Sequence, residues 1–172
     1  MSYMGIDPST SSTGISIVDK DGQVVLKKKL VGKEGANDPA YMFHLGEELK
    51  KLVDEYGVTH MRCEDQFIGI NKHTAIKTVR PTGVALYVAG SKELVFDLKY
   101  PSEWRKVFHK AFDQKVECTN PKKQDTYRVV KTMVDGITSY KKDNDITDSI
   151  GIAYSLYLEN TEEGVTTDAV CD

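Results

Sequence analysis

Short apolar or alternating runs of residues mark the strands of this chain. They predict β-strands at residues 3–7, 14–18, 24–30, 58–63 and 94–98. The first three strands follow one another through short turns, which is typical of an antiparallel meander. Helical stretches separate the later strands, so these are expected to be reached through crossovers and to run parallel to a neighbour.

Apolar residues at helical spacing occupy most of the remaining chain. They predict helices at residues 39–56, 71–91, 101–111, 121–134 and 145–158. Pro81 is expected to break or kink the second helix, because proline has no backbone N–H to donate. The order of elements predicts an α/β protein with a mixed five-stranded sheet, antiparallel over its first three strands, and helices on both faces.

The composition is that of one soluble globular domain. The chain has 172 residues, of which 40% are hydrophobic and 28% charged. No apolar run approaches the roughly 18 residues of a membrane span, and the N-terminus lacks the pattern of a secretion signal, so a cytoplasmic location is expected. The cysteines are three and widely spaced, which excludes a disulfide framework and disfavours a cysteine zinc site.

Charge is unevenly distributed along the chain. The net charge is −3, but residues 159–172 carry five acidic and no basic side chains. This segment has no periodicity, so we expect it to be a mobile acidic tail after a single domain of residues 1–158. Residues 101–142, here called the basic flank, hold ten basic and five acidic side chains, which favours a polyanionic partner.

Carboxylates stand at the ends of predicted elements. Asp7 ends the first strand, Glu64 follows the fourth, and Asp145 and Asp148 lie three residues apart where the last helix is predicted to begin. Asp7 could instead serve a turn, Asp145 an N-cap and Asp148 the helix dipole. If these elements meet, the carboxylates form an acid cluster that needs cations, and hard oxygen ligands suit Mg²⁺ or Mn²⁺. Two such ions about 4 Å apart promote phosphodiester displacement.

Three motifs around these acids identify a known family. GIDPSTSSTG, CEDQFIGINKHTA and DITDSIGIA, in this order and spacing, resemble the RuvC-type Holliday junction resolvases over about residues 3–158. The resemblance implies an RNase H-like fold and a homodimer that cuts four-way DNA junctions by paired nicks dependent on two Mg²⁺ ions, for which Mn²⁺ can substitute. It places the catalytic, metal-binding acids of the family on Asp7, Glu64, Asp145 and Asp148.

The resemblance also implies residues that contact DNA. The aromatic wedge of the family falls on Phe67, which could alternatively belong to the core. The basic residues that approach the cleaved phosphate fall on Lys106 and Lys123, and Lys122 is an equally close match; we take Lys123 as catalytic. The side chains expected to contact phosphates are Lys72, Lys77, Arg80, Arg105, Lys106, Lys110, Lys122 and Lys123.

Some positions depart from the family pattern. Ser9 replaces a glycine, Asp65 replaces a glutamine, and Pro81 falls in the stretch that resembles the dimerisation helix. Asp65 and the low net charge keep open a branched-DNA binding dimer with weak or no nuclease activity. A third alternative is a relative that acts on structured RNA or flaps rather than on four-way junctions. Actin-like ATPases and sugar kinases open on a similar strand and turn, but they need two lobes, and 172 residues supply one.

Overall fold

The computed structural model describes residues 1–33, 35–65, 72–112 and 122–166, with only the backbone described at 72–75 and 162–166. Its sheet has five strands in the order β3-β2-β1-β4-β5. Antiparallel pairing joins β1 to β2 and β2 to β3, whereas β4 runs parallel to both β1 and β5. The predicted mixed sheet is therefore confirmed. The strand bounds are Ser2–Pro8 (β1), Ser12–Asp19 (β2), Val24–Val31 (β3), Val58–Glu64 (β4) and Val95–Lys99 (β5).

Helices cover both faces of the sheet, as predicted. The helices are Pro39–Tyr56 (α1), Lys72–Ser91 (α2), Pro101–Phe112 (α3), Lys123–Met133 (α4) and Tyr140–Thr166 (α5). Helices α1 and α2 pack on the face that carries Met4 and Ile6 of β1, where the larger core cluster lies. On the other face α5 crosses β1 and β2, and α3 and α4 pack against α5 around Trp104.

Glycines allow α5 to lie directly on the sheet. A Cβ on Gly5 of β1 would clash with the backbone carbonyl of Ser149, and one on Gly14 of β2 would clash with that of Asp145. Between these contacts the hydroxyls of Ser16 and Ser149 are hydrogen-bonded at 2.6 Å. The close approach fixes one turn of α5 over the ends of β1 and β2.

The bounds of α5 differ from the prediction at both ends. The helix begins at Tyr140, so Asp145 lies in its second turn and the N-cap interpretation of that residue is wrong. Asp143 instead accepts the backbone N–H groups of Thr138 and Ser139 at 2.7 and 2.9 Å. At the other end the predicted stop at residue 158 is wrong, because α5 continues to Thr166 and takes in much of the acidic segment.

Two other predictions concern prolines. Helix α2 continues through Pro81, so the predicted break is wrong; next to it the Thr82 hydroxyl donates to the Thr78 carbonyl at 3.1 Å. Helix α4 begins at Lys123, and Pro121 lies outside the described residues.

Cys63 is buried and free, whereas Cys118 and Cys171 lie outside the described residues. Over the described part of the chain, every helix is too short or too polar to cross a membrane.

Candidate active site

The fold brings the acid cluster to one edge of the sheet. Asp7 and Glu64 end the neighbouring parallel strands β1 and β4, so their side chains emerge at the same edge. Helix α5 passes over this edge with Asp145 and Asp148 on one face. Asp7, Asp145 and Asp148 are buried, with exposed fractions of 3%, 6% and 0%. Carboxylates from three separate elements, remote in sequence, thus share one nearly enclosed site.

Basic side chains from α3 and α4 reach into this site. The Lys123 ammonium lies 2.8 Å from Asp148 Oδ2 and 3.9 Å from Asp7 Oδ2. The Arg105 guanidinium lies 3.2 Å from Asp148 Oδ2 and 3.9 Å from Glu64 Oε2. Lys123, predicted as a catalytic lysine, is therefore ion-paired with the acids, and so is Arg105, which was predicted only as a phosphate contact.

Three further residues of the site were missed by sequence reasoning. The Trp104 indole N–H donates to Glu64 Oε2 at 2.9 Å. On the opposite side Ser12 Oγ donates to Asp145 Oδ2 at 2.5 Å, and the Lys29 ammonium lies 2.9 Å from the same oxygen. The position of Lys29 near the acids could be inferred only from the strand register. In that register Lys29 pairs with Gly14, and Gly14 pairs with Asp7.

Burial raises the pKa of Asp7, Glu64 and Asp148, and like charge adds to the rise at Asp7 and Glu64. The pKa of Asp7 lies well above its ordinary value, first because the group is buried and then because Glu64, Asp148 and Asp145 repel its negative charge. Burial likewise raises the pKa of Glu64 and of Asp148. Burial alone would lower the pKa of the Lys123 ammonium, but the charges of Asp7 and Asp148 raise it.

The donor set of the acid cluster fits a divalent cation. Asp7 Oδ2 and Asp148 Oδ1 are buried and accept no hydrogen bond, so these oxygens are left for another positive partner. Carboxylate oxygens are the ligands that Mg²⁺ and Mn²⁺ prefer. Among the described residues, no group of three or more acidic, histidine or cysteine side chains is arranged closely enough to hold one metal ion. Lys123 and Arg105 contact the acids instead.

The remaining residues predicted to bind DNA lie farther from the acids. Arg80 is exposed on α2, and its guanidinium donates to Ala36 O at 3.1 Å and Asn37 Oδ1 at 2.5 Å. Lys77 is half-buried on the same helix. Among the lysines predicted to bind DNA, Lys106, Lys110 and Lys122 are exposed, and none of them is ion-paired with the acid cluster among the described residues. Phe67 lies outside the described residues, as does the side chain of Lys72.

Sequence comparison gives a family for the whole domain. The family model described as Crossover junction endodeoxyribonuclease RuvC matches residues 3–155. The curated RuvC of Orientia tsutsugamushi is 22% identical over 163 residues, covering 93% of this chain and 97% of that protein. The RuvC of Gluconobacter oxydans is 31% identical over 86 residues, covering 48% of this chain and 51% of that protein, so this second match spans about half of the relative.

Solved structures agree with the fold. Thermus thermophilus RuvC in complex with a Holliday junction substrate superposes with a TM-score of 0.75 at 14% identity, covering 94% of this chain and 96% of that chain. The yeast mitochondrial Holliday junction resolvase Ydc2 gives a TM-score of 0.56 at 14% identity, over 96% of this chain and 85% of that one. The predicted RNase H-like fold is confirmed. With the family match over residues 3–155, the chain belongs to the RuvC family of crossover junction endodeoxyribonucleases.

Proposed function

We propose that this chain, as a RuvC-family endonuclease, resolves Holliday junctions by hydrolysing phosphodiester bonds at the acid cluster. The observation that carries the proposal is the meeting of Asp7, Glu64, Asp145 and Asp148 at one edge of the sheet, where two buried carboxylate oxygens lack a hydrogen-bond donor. Such crowding of negative charge costs stability, so a binding or catalytic role explains it better than a structural one does.

The four acids would hold divalent metal, which we take as two Mg²⁺ ions that Mn²⁺ can replace. When bound, such ions make water a stronger nucleophile and neutralise the departing oxygen. The protein contributes a fixed frame for these ligands, since Asp7 and Glu64 sit on paired strands and Asp148 on a helix packed against them. Trp104 holds one oxygen of Glu64 by its hydrogen bond and so limits the orientations of that carboxylate.

Lys123 is the residue we assign to the reacting phosphate. Its side chain is one-third exposed, and its ammonium lies 2.8 Å from Asp148 and 3.9 Å from Asp7, so Lys123 lies at the boundary between the acids and solvent. A phosphate entering from solvent would meet this ammonium, which would offset the negative charge that develops during hydrolysis. Arg105, 13% exposed beside Asp148, supplies a second positive charge at the same boundary.

Basic side chains around the site would bind the DNA backbone. The exposed lysines Lys106, Lys110 and Lys122 belong to the basic flank, and Lys77 and Arg80 to α2. Contacts of this kind set affinity without reading sequence and weaken as salt increases. Lys72 and the wedge assigned to Phe67 remain predictions.

A homodimer is supported by the outer face of α2. Ile76, Val79, Leu86 and Tyr87 are exposed by 54%, 49%, 55% and 65%, and they follow helical spacing opposite the buried Ala85 and Val88. A Cβ at Gly83, in the same stripe, would meet no atom within 4 Å. A second copy packed on this stripe would bury these apolar side chains and set two active sites at a fixed separation, as paired nicks require.

The test is cleavage of labelled four-way junction, flap, fork and duplex DNA in Mg²⁺, Mn²⁺ or EDTA. The wild type should make paired symmetric nicks in the junction alone and only with metal. Asp7→Asn should bind the junction and not nick it, whereas Asp135→Asn, an exposed control, should nick normally. Cleavage by Asp7→Asn would show that the reaction does not require the Asp7 carboxylate. Junction binding by the wild type without any cleavage would favour a branched-DNA binding dimer that is not a nuclease.

A further inference from the structure

Asp145 is held differently from the other members of the acid cluster. Asp7, Glu64 and Asp148 contact side chains of α3 and α4. Asp145 instead contacts the sheet, where Ser12 of β2 and Lys29 of β3 both meet its Oδ2 oxygen, at 2.5 and 2.9 Å. Both contacts are made at Oδ2, so neither of them involves Oδ1 of Asp145.

Lys29 is held in place by the fold. Its backbone pairs with Gly14, which in turn pairs with Asp7, so three adjacent strands connect Lys29 to the centre of the site. Its ammonium also donates to the backbone carbonyl of Lys142 at 3.3 Å, which ties it to the first turn of α5. The side chain is only 25% exposed. Lys29 thus joins β3 to the segment of α5 that carries Asp145.

We propose that Lys29 is a positioning residue of the cleavage reaction, which together with Ser12 fixes the Asp145 carboxylate and offsets its charge. The inference rests on the proposed metal-dependent function. A fixed Asp145 favours a productive arrangement of ligands, while the positive charge of Lys29 weakens the attraction of the site for divalent cations. Lys29 therefore lowers the affinity of the site for metal and raises the turnover of the reaction.

Removing the charge of Lys29 should separate these two effects. In Lys29→Met the acid cluster loses a nearby positive charge, so a divalent cation should bind about three- to tenfold more tightly, as Coulomb's law gives for a unit charge about 6–12 Å from a divalent ion in a water-like dielectric of about 80. Turnover should fall about tenfold because Asp145 loses one of its two contacts at Oδ2. Simple disruption of the site would instead lower both metal affinity and turnover.

The matched control is Lys27→Met. Lys27 lies on the same strand and the same face, two residues away, is exposed, and makes no ion pair with any described residue. Binding of Mn²⁺ to the DNA-free protein is measured by the rise in Tm during a titration, and turnover is measured on a junction at saturating Mn²⁺. Lys29→Arg keeps the charge and should restore both values towards wild type. Lys29→Gln gives a second neutral variant if Lys29→Met folds poorly.

Each outcome bears on the proposal. A lower Mn²⁺ midpoint together with reduced turnover in Lys29→Met, both restored by Lys29→Arg, supports it. Values equal to those of Lys27→Met overturn it, as does a loss of turnover with an unchanged or higher midpoint. Ser12→Ala, which keeps the charge of Lys29, should lower turnover without shifting the midpoint, and a shift equal to that of Lys29→Met contradicts the charge argument. If Mn²⁺ does not stabilise the wild type at all, the proposed metal site itself is wrong.

Discussion

Replacing Asp7 by asparagine should stabilise the metal-free protein while abolishing cleavage. Asp7 is 3% exposed, and its Oδ2 oxygen is buried without a hydrogen-bond donor. The charges of Glu64, Asp148 and Asp145 repel it. Asparagine fits the same space and carries no charge, so the substitution removes the repulsion and most of the cost of burial.

The expected gain follows from the unpaired oxygen and from what the substitution loses. A buried acceptor without a partner costs about 1–3 kcal/mol, and a charged one costs more. Against this stands the attraction of Lys123, but its ammonium is 3.9 Å from Asp7 and keeps the 2.8 Å contact with Asp148. We therefore expect a net gain of about 1–3 kcal/mol, which for a chain of this length raises Tm by about 3–9 °C.

The gain should depend on pH. Because the pKa of folded Asp7 is raised, the folded state binds the proton more strongly than the unfolded state does. The wild type therefore loses stability as pH rises above the ordinary aspartate value, because the unfolded state releases this proton first, and the loss levels off only above the raised pKa of the folded state. The difference between Asp7→Asn and wild type should therefore grow as pH rises above the ordinary aspartate value and should vanish below about pH 3, where Asp7 is neutral in both states.

Thermal and urea unfolding in EDTA between pH 4 and 8 measure this difference. Asp135→Asn, at an exposed position, should change stability by less than about 0.5 kcal/mol at every pH. Addition of Mn²⁺ should stabilise the wild type more than Asp7→Asn, because the variant lacks one ligand. A variant less stable than wild type at pH 7 in EDTA, or a difference that does not shrink on acidification, would refute the reasoning.

Three further variants test the other parts of the site and fold. Lys123→Met should lower turnover on saturating junction about 100-fold, by loss of charge stabilisation, whereas Lys122→Met should act mainly on affinity; equal effects would contradict the assignment. Gly5→Ala should cost more than about 3 kcal/mol in urea unfolding, because its Cβ would meet the Ser149 carbonyl, and a neutral effect would disprove that packing. If the wild type is the proposed dimer in sedimentation equilibrium, Leu86→Glu, which puts a charge on the exposed apolar stripe of α2, should be a monomer, and an unchanged dimer would place the interface elsewhere.

The strand core and the acids were predictable because local signals coincide there. Asp7 and Glu64 each end an apolar run, and a short run of that kind bounded by polar residues favours a buried strand. Helix α1 leads from β3 into β4, so β4 was expected to run parallel to a neighbouring strand, but that this neighbour is β1 is known only from the structure. The position of each acid at a strand end was therefore predictable, whereas the convergence of the two side chains was a condition that the strand order supplied.

The ends of α5 were not predictable, because they depend on contacts outside the helix. Residues 140–144 have no apolar period, and their turn begins where Asp143 caps the preceding backbone. Beyond residue 158 the helix passes the buried Arg62, which is ion-paired with both Asp97 and Glu159. Such tertiary pairing extends a helix through a polar stretch that pattern alone assigns to a tail.

Lys29 and Trp104 illustrate a different limit. Lys29 is one of three consecutive lysines in β3, and only the register with Gly14 distinguishes it from its neighbours. Trp104 is a buried core residue, and its indole N–H reaches Glu64 at the end of β4 because α3 packs against α5. Neither position carries a sequence pattern of its own, so the partners of the acids had to come from the structure.

The distribution of charge in the site follows from the stiffness of its parts. Asp7 and Glu64 have short side chains on paired strands, and Asp148 is fully buried on a helix held against the sheet, so the acids have little freedom to move. The positive charges that pair with these acids are at the ends of long side chains, Arg105 on α3 and Lys123 on α4. A long side chain can change its partner at the cost of a few rotamers, whereas displacing a buried acid would disturb the core. We therefore expect an entering phosphate or cation to be accommodated by movement of the basic groups, while the acids keep their positions.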